Sequence, residues 1–435
     1  MTLTVQPGRP LRGEVRVPGD KSLSHRAALF AALAEGESVV ERFLVSGVTA
    51  AMLDALTAVG VRWQVSGERL TLQGRGFAGW RAPAQPLDCR HSATTIRLLA
   101  GAVAASGVGA VLDGSAGLRR RPMNRVVEPL RQMGVAIEAA AGGGCPLRLA
   151  PRPAGQRLRP AAHTLPVASA QVKSCLLLAA LAAGGPVTIR EPGPSRDHTE
   201  RMLGAMGVRI EGAPGAVTLH PPAAALRPLA MALPGDLSAA AFLIVAALIV
   251  PGSEIVLRDV GVNPTRTGLL DVLRAMGADL AVANRREESG EPVADLTVRH
   301  SRLRGTRVAG DLVVRMIDEF PVFAAAAAFA EGATEVREAA ELRAKESDRI
   351  DAVVGELRRL GVAIEALPDG FRVQGGRVAG GAADGRGDHR IAMSCAVAGL
   401  AADAPVAVAG AEIVKESFPG FAATLRSLGA AVDGA

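Results

Sequence analysis

Lysine is the scarce cation of this 435-residue chain. Of its 49 Lys and Arg residues only Lys21, Lys173, Lys345 and Lys415 are lysines. A compact ammonium reaches a phosphate oxygen or a reacting carbon from directions closed to a planar guanidinium, and it can release its proton where arginine cannot. The four positions are therefore candidates for chemistry. Lys21 and Lys345 stand beside expected helix starts, as do Arg349 and Arg390. A cation there opposes the helix dipole and needs compensation, most simply from a bound anion that also takes the free N–H groups. In Ala-Lys-Glu-Ser-Asp-Arg, Ser347 reads as the N-cap of a helix running to Leu360, with Lys345 and Glu346 in the loop before it and Arg349 in the first turn. Each apolar helix opens on a hydroxyl or carboxylate: Ser22 and Ser24, Ser92 with Thr94 and Thr95, Ser169, Ser238, Asp318, and Asp388. Ordinary capping explains any one of these taken singly. Arg119, Arg120 and Arg121 precede Pro122, and one of the three guanidinium groups can turn inward as a bidentate clamp for phosphate or carboxylate.

Such residues suit small anions, and the net charge of +6 agrees with acidic partners. Aromatic residues at 3%, with no tyrosine, leave few rings for base stacking, so nucleic acid is not an expected partner. No lysine follows a glycine, which excludes the GK[ST] phosphate loop, and no HExxH or closely spaced His/Cys set marks a metal site. Four scattered cysteines without a CxxC pair read as reduced thiols of a cytoplasmic protein. The N-terminus shows no signal peptide. The longest apolar run, Leu237 to Val250, is too short to span a bilayer and reads as a buried helix, so no membrane role is expected.

The elements that must position these residues form a repeat. An amphipathic helix, a Leu-Gly pair or its like, and a strand recur six times, with glycines at Gly60, Gly134, Gly207, Gly277, Gly361 and Gly429. Their separations are 74, 73, 70, 84 and 68, the longest of which holds the polar insert Asn284 to Asp295, read as an exposed loop. A helix apolar on nearly every face precedes each Leu-Gly helix and should be buried, whereas the Leu-Gly helices carry Arg and Glu on one side and should face water. The glycine ending a helix supplies the left-handed C-terminal position. Each unit is a roughly 70-residue β-α-β-α-β-type module. Pro-Gly-Asp occurs before the first and the fourth, at Pro18 to Asp20 and Pro234 to Asp236. The expected fold is α/β in two domains of three modules each. Residues 1–19 and 235–435 form one, with the N-terminal strand returning to complete it, and residues 20–234 form the other.

PGDKSLSHRAAL, LDCRHSATTIRLLAG, LRRRPM, SAQVKS, SRDHTERML, MIDEFP, KESDR, GDHRIAMS and SFPGF stand in this order along the chain. Together they resemble the motifs of the enolpyruvyl transferase family, and the resemblance spans essentially the whole length. It implies two prism-like domains of three repeats that close around shikimate 3-phosphate and phosphoenolpyruvate, without metal or organic cofactor, in a monomer. Lys21, Ser22 and Arg26 are implied to hold the shikimate phosphate, with Lys21 also reaching phosphoenolpyruvate. Ser169, Gln171, Ser195 and Arg196 would complete the acceptor site. Arg121, Arg349, Arg390 and Lys415 would clamp phosphoenolpyruvate, and Lys345 falls where the family places an active-site cation. Asp318 is implied to take the acceptor hydroxyl proton, and Glu346, assisted by Lys21, to protonate the methylene carbon.

The chain departs from the family pattern at Arg90 and His91, which stand for Gly-Asn, and at Val48, where an Asp is frequent. The resemblance places Ala93 in the phosphoenolpyruvate pocket, with a methyl group where glyphosate packs in sensitive members, which implies weak inhibition. The branch of the family acting on a UDP-sugar typically carries a cysteine in the segment corresponding to Ala116 to Arg120, and none is present. A paralogue with an altered acceptor and a silent anion-binding protein on the same scaffold are the remaining readings. The lysine pattern makes its own prediction: Lys21→Arg and Lys345→Arg each lose most of their turnover although the charge is kept. Steady-state rates near wild type in both variants would show the pattern to be accidental.

Overall fold

The structure, a computed structural model, describes residues 1–213 and 215–434. It divides into two compact units, one of Met1–Pro18, Pro234–Glu287 and the chain from Pro292 onward, the other of Gly19–Leu233 with Glu288–Glu291. Each unit has its own hydrophobic core.

The six apolar helices are α1 (Lys21–Leu33), α3 (Ala93–Ser106), α5 (Ala170–Ala180), α7 (Leu237–Ile249), α9 (Phe320–Ala328) and α11 (His389–Gly399). Every residue of α7, α9 and α11 is buried. The six Leu-Gly helices are α2 (Gly47–Ala58), α4 (Asn124–Gln132), α6 (His198–Ala205), α8 (Gly268–Ala275), α10 (Arg349–Arg359) and α12 (Phe421–Ser427). All six Leu-Gly glycines have positive φ, between 86° and 103°, the conformation that ends a helix with least strain when no Cβ is present. Among the described residues no helix is long and apolar enough to cross a membrane.

Six four-stranded sheets share one pattern, an edge strand parallel to its neighbour followed by two antiparallel pairings. In one, Arg307–Val308 runs parallel to Ala333–Val336, which pairs with Gly370–Gln374 and that in turn with Ala363–Leu367. The six-module α/β reading is the observed one. Three modules are completed by distant strands. Thr2–Gln6 inserts between Val406–Ala409 and Ala431–Asp433, and Arg12–Arg16 lies parallel to Glu254–Gly261. Ala230–Ala232 returns to lie parallel to Glu35–Glu41, a closure that the sequence reading did not include.

The insert Asn284 to Asp295 is not a loop. It falls in two sheet strands, Asp279–Glu288 and Glu291–Arg299, and the second carries Val293, Ala294, Leu296 and Val298 into the core. Its polar character comes from the other strand, whose residues are largely exposed.

Several caps also differ. Asp20 caps α1 by accepting from the Leu23 N–H at 2.8 Å, and Asp236 caps α7 by accepting from Ser238 N–H at 2.8 Å. Both belong to the Pro-Gly-Asp turns, and a carboxylate placed there reaches the open N–H groups before Ser22, Ser24 or Ser238 can. Asp348, not Ser347, caps α10, and Glu319, not Asp318, occupies the cap position of α9. Ser92, Ser169 and Asp388 cap as expected. Close helix packing in the second unit depends on Gly101 of α3, where a methyl group would lie 2.1 Å from the Cys175 carbonyl oxygen of α5.

Candidate active site

In the second unit the sequence-selected residues gather at the starts of α1, α3, α5 and α6. Lys21 is the first residue of α1 and is partly exposed. Its carbonyl faces His25 Nδ1 at 2.8 Å, and His25 Nε2 lies 3.3 Å from Ser92 Oγ. A carbonyl only accepts, so Nδ1 carries the proton. Burial holds the His25 pKa down at about 4, so the ring is neutral and Nε2 accepts from Ser92. Ser92 in turn accepts from Thr95 N–H at 3.0 Å, which fixes the first turn of α3, where Ala93 is buried.

Arg26 lies behind Ser22 and is 2% exposed. Its Nε donates to Thr199 Oγ1 (2.8 Å), Nη1 to the Ser22 carbonyl (3.0 Å) and Nη2 to Ser174 Oγ (2.8 Å). Burial first, then the charge of Arg196, lowers its pKa to about 10, so it stays protonated at neutral pH. Arg196 Nη1 donates to Ser22 Oγ at 3.3 Å, which brings the SRDH turn to the start of α1. Ser195 Oγ is buried with no hydrogen-bond partner among the described residues. Ser169 caps α5, and Gln171 is clasped between Arg97 Nη1 (2.6 Å) and Thr94 Oγ1 (2.9 Å). Of the three consecutive arginines, Arg121 is buried, whereas Arg119 is exposed and donates from Nε to Asp113 at 3.0 Å. Arg90 has φ 51° and turns its side chain to Asp54 (2.6 Å) and the Gly47 carbonyl (3.1 Å), so its guanidinium is engaged in an exposed ion pair.

In the first unit Asp318, Lys345, Glu346, Arg349 and Arg390 form one cluster. Arg349, 1% exposed, donates to Asp388 from Nε (2.8 Å), to Glu346 from Nη2 (2.6 Å) and to Asp318 from Nη1 (3.2 Å). Lys345 Nζ and Arg390 Nη2 each lie 3.9 Å from Asp318 carboxylate oxygens. Arg390 Nη1 donates to the Asp318 carbonyl at 2.9 Å. Burial pushes the Asp388 carboxyl up, but Arg349 and His389 outweigh it and hold its pKa below the ordinary value. Against its own burial, Arg349 is raised by Asp388, Glu346 and Asp318. Lys415 is not joined to this cluster by a hydrogen bond or ion pair. It is exposed on the turn Ala411–Glu416, beside a hollow lined by Phe418 and Phe421.

Three residues with evident roles escaped the sequence reading: Arg97, Asp388 as more than a cap, and Lys173 as a structural group. Lys173 is buried and bonds Glu191 Oε1 and Glu200 Oε1, each at 2.8 Å, and the Ser195 carbonyl at 3.3 Å. Burial opposes its charge, but Glu200 and Glu191 raise its pKa above the ordinary value. A cation amid Ile-Arg-Leu-Leu in an apolar helix was the available signal for Arg97.

Two outcomes follow. Arg349→Met leaves three carboxylates without their shared cation and lowers stability by about 3–5 kcal/mol; a urea midpoint at the wild-type value would refute the hub. His25 has a folded pKa below its unfolded value, so the unfolded chain takes up the proton first and stability falls as pH drops from about 6.5 toward about 4, by up to about 3 kcal/mol. His25→Gln flattens that part of the acid limb in urea titrations, and equal slopes in both proteins would count against it.

The family model for EPSP synthase (3-phosphoshikimate 1-carboxyvinyltransferase) matches residues 5–425. The 3-phosphoshikimate 1-carboxyvinyltransferase of Citrifermentans bemidjiense is 49% identical over 427 residues, covering 98% of both chains. That of Coxiella burnetii is 47% identical over 430 residues, covering 98% of this chain and 97% of the relative. The solved EPSP synthase from Acinetobacter baumannii superposes with a TM-score of 0.88 at 40% identity, covering 99% of each chain. With matching motifs, six modules and near-complete coverage at this identity, the chain belongs to the EPSP synthase family.

Proposed function

We propose that this chain transfers the enolpyruvyl group of phosphoenolpyruvate to the 5-hydroxyl of shikimate 3-phosphate. Lys21, Ser22, Ser169, Gln171, Ser195 and Arg196 hold shikimate 3-phosphate, with Arg26 fixing Ser22 from behind. Arg121, Lys345, Arg349, Arg390 and Lys415 attract the phosphate and carboxylate of phosphoenolpyruvate, and Lys21 reaches it as well. Both substrates are multiply anionic, and charge-assisted hydrogen bonds from ammonium and guanidinium groups are the strongest available to them.

The reaction is an addition followed by an elimination. The acceptor 5-oxygen bonds to C2 of phosphoenolpyruvate while Asp318 takes the hydroxyl proton and Glu346, with Lys21, gives a proton to C3, which becomes a methyl group. The C2–O bond to phosphate then breaks, the methyl group returns its proton, and inorganic phosphate leaves with the C2=C3 double bond restored. The surrounding cations stabilise charge developing on the transferred group. No oxidant, reductant or cofactor enters this balance. The observation that carries the assignment is that Asp318 and Glu346 are held by the same buried guanidinium, at 3.2 and 2.6 Å, so both proton-transfer groups have fixed positions in one cluster. Engagement of Arg90 by Asp54 and Gly47 removes one of the two reasons for an altered acceptor. We also read the chain as a cytoplasmic monomer. Four buried, unpaired cysteines support a reducing compartment.

Mixing the protein with shikimate 3-phosphate and phosphoenolpyruvate should release inorganic phosphate, while Asp318→Ala and Glu346→Gln should each slow release about 100-fold or more. No release from pure, folded wild-type protein would overturn the assignment, and unchanged rates in both variants would overturn the roles of the two carboxylates.

A further inference from the structure

The hairpin of Asp279–Glu288 and Glu291–Arg299 accounts for the one long interval in the repeat. Its strands pair in a sheet of the first unit, but its tip, Glu288–Glu291, belongs to the second. All four tip residues are fastened there. Glu288 pairs with Arg42 at 2.8 Å, and Ser289 Oγ accepts from Ala232 N–H at 3.3 Å. The Gly290 carbonyl accepts from Arg201 Nη1 at 3.1 Å, and Glu291 Oε1 lies 2.7 Å from His198 Nδ1.

The last contact is the unusual one. The side chains of His198 and Glu291 are 2% and 4% exposed, and a carboxylate buried so deeply is costly unless it is hydrogen-bonded. A carboxylate oxygen facing a ring nitrogen pairs with it through an Nδ1–H donor on His198. Nε2 is buried without a hydrogen-bond partner among the described residues, so Nδ1–Glu291 is the only hydrogen bond the ring makes. His198 is the first residue of α6. Immediately before it stand Ser195, Arg196 and Asp197, and immediately after it Thr199 receives Arg26 Nε at 2.8 Å. Arg26 bonds the Ser22 carbonyl and Arg196 bonds the Ser22 hydroxyl. Fixing His198 thus fixes two routes to Ser22.

We propose that Glu291, acting through His198, is a positioning residue for the acceptor site, setting where Ser195, Arg196 and Ser22 stand. This rests on the assignment of those residues to shikimate 3-phosphate. The contact of Glu291 with His198 leads to the acceptor residues, so its effect is expected on the acceptor.

Binding of shikimate 3-phosphate to the wild-type protein, measured by calorimetry without phosphoenolpyruvate, tests the underlying assignment first; absence of binding would sink that assignment. With binding established, Glu291→Ala raises the KM for shikimate 3-phosphate on the order of tenfold, the cost of one lost charge-assisted hydrogen bond, while the KM for phosphoenolpyruvate changes less than about twofold. Glu291→Gln keeps an acceptor oxygen for Nδ1 and restores most of the loss. If the alanine variant fails to fold, Glu291→Asp, which draws the carboxylate back by one methylene, carries the same expectation. An unchanged acceptor KM, or an equal rise in both KM values with no rescue by glutamine, would overturn the positioning role.

Discussion

The guanidinium of Arg349 is the constraint on which the first unit's cluster depends. It meets three carboxylates, Asp388, Glu346 and Asp318, in a site where Asp388 is wholly buried. Lys345 and Arg390 beside Asp318 add two cations, and Glu319, 3.8 Å from Arg390 Nη1, adds a fourth carboxylate, so three cations stand against four anions. Such a cluster is close to neutral as it stands, so burial does not expel it. Any member removed leaves an uncompensated charge in low dielectric, which is the costly case. In the proposed reaction an incoming anion competes with Asp318 for Lys345 and Arg390. Weakening those pairings raises the proton affinity of the carboxylate as substrate arrives, the direction a general base requires.

The second unit solves a different problem. Lys173 is paired with two carboxylates, whereas Arg26 bonds two hydroxyls and a carbonyl, and Arg97 bonds the Gln171 amide oxygen and the Pro122 carbonyl. Neutral acceptors fix a guanidinium in place without cancelling its charge. Burial first, then the charge of Arg196, lowers the pKa of Arg26, and Glu200, Asp20 and Glu291 oppose the shift from a distance. A guanidinium held in that way favours a phosphate ester, whereas the charge-paired cluster of the first unit favours proton transfer.

The fold was legible because the repeat is written in physical necessities. Each Leu-Gly glycine takes positive φ, and each helix without a polar face is buried. Caps were less legible because several polar residues stand in a row at each helix start. Which of them reaches the open N–H groups depends on backbone angles set by the preceding turn, as Asp20 rather than Ser22 and Asp348 rather than Ser347 show. The hairpin was mistaken for a loop because its exposed strand carries the polar residues and its buried strand follows a turn. Partnerships were least legible. Arg97 with Gln171, and His198 with Glu291, are separated by 74 and 93 residues, and nothing local announces them.

The scarcity of lysine has more than one cause. Lys21 and Lys345 stand where the proposed chemistry needs an ammonium, but Lys173 does not. Its Nζ meets two carboxylates and a carbonyl, at 2.8, 2.8 and 3.3 Å, inside the protein. An ammonium's three hydrogens diverge from one atom and can serve three acceptors grouped around a point, whereas a guanidinium spreads its donors over a planar fork several ångströms wide. Lys173 is therefore a lysine for the geometry of its donors, and through the Ser195 carbonyl it anchors the turn that leads to His198. Lys415, exposed on its turn, has no such set of protein acceptors, and its proposed partner is phosphoenolpyruvate. What a chain so rich in arginine retains lysine for is compact, three-donor geometry, of which catalysis is one use and the support of a binding turn is another.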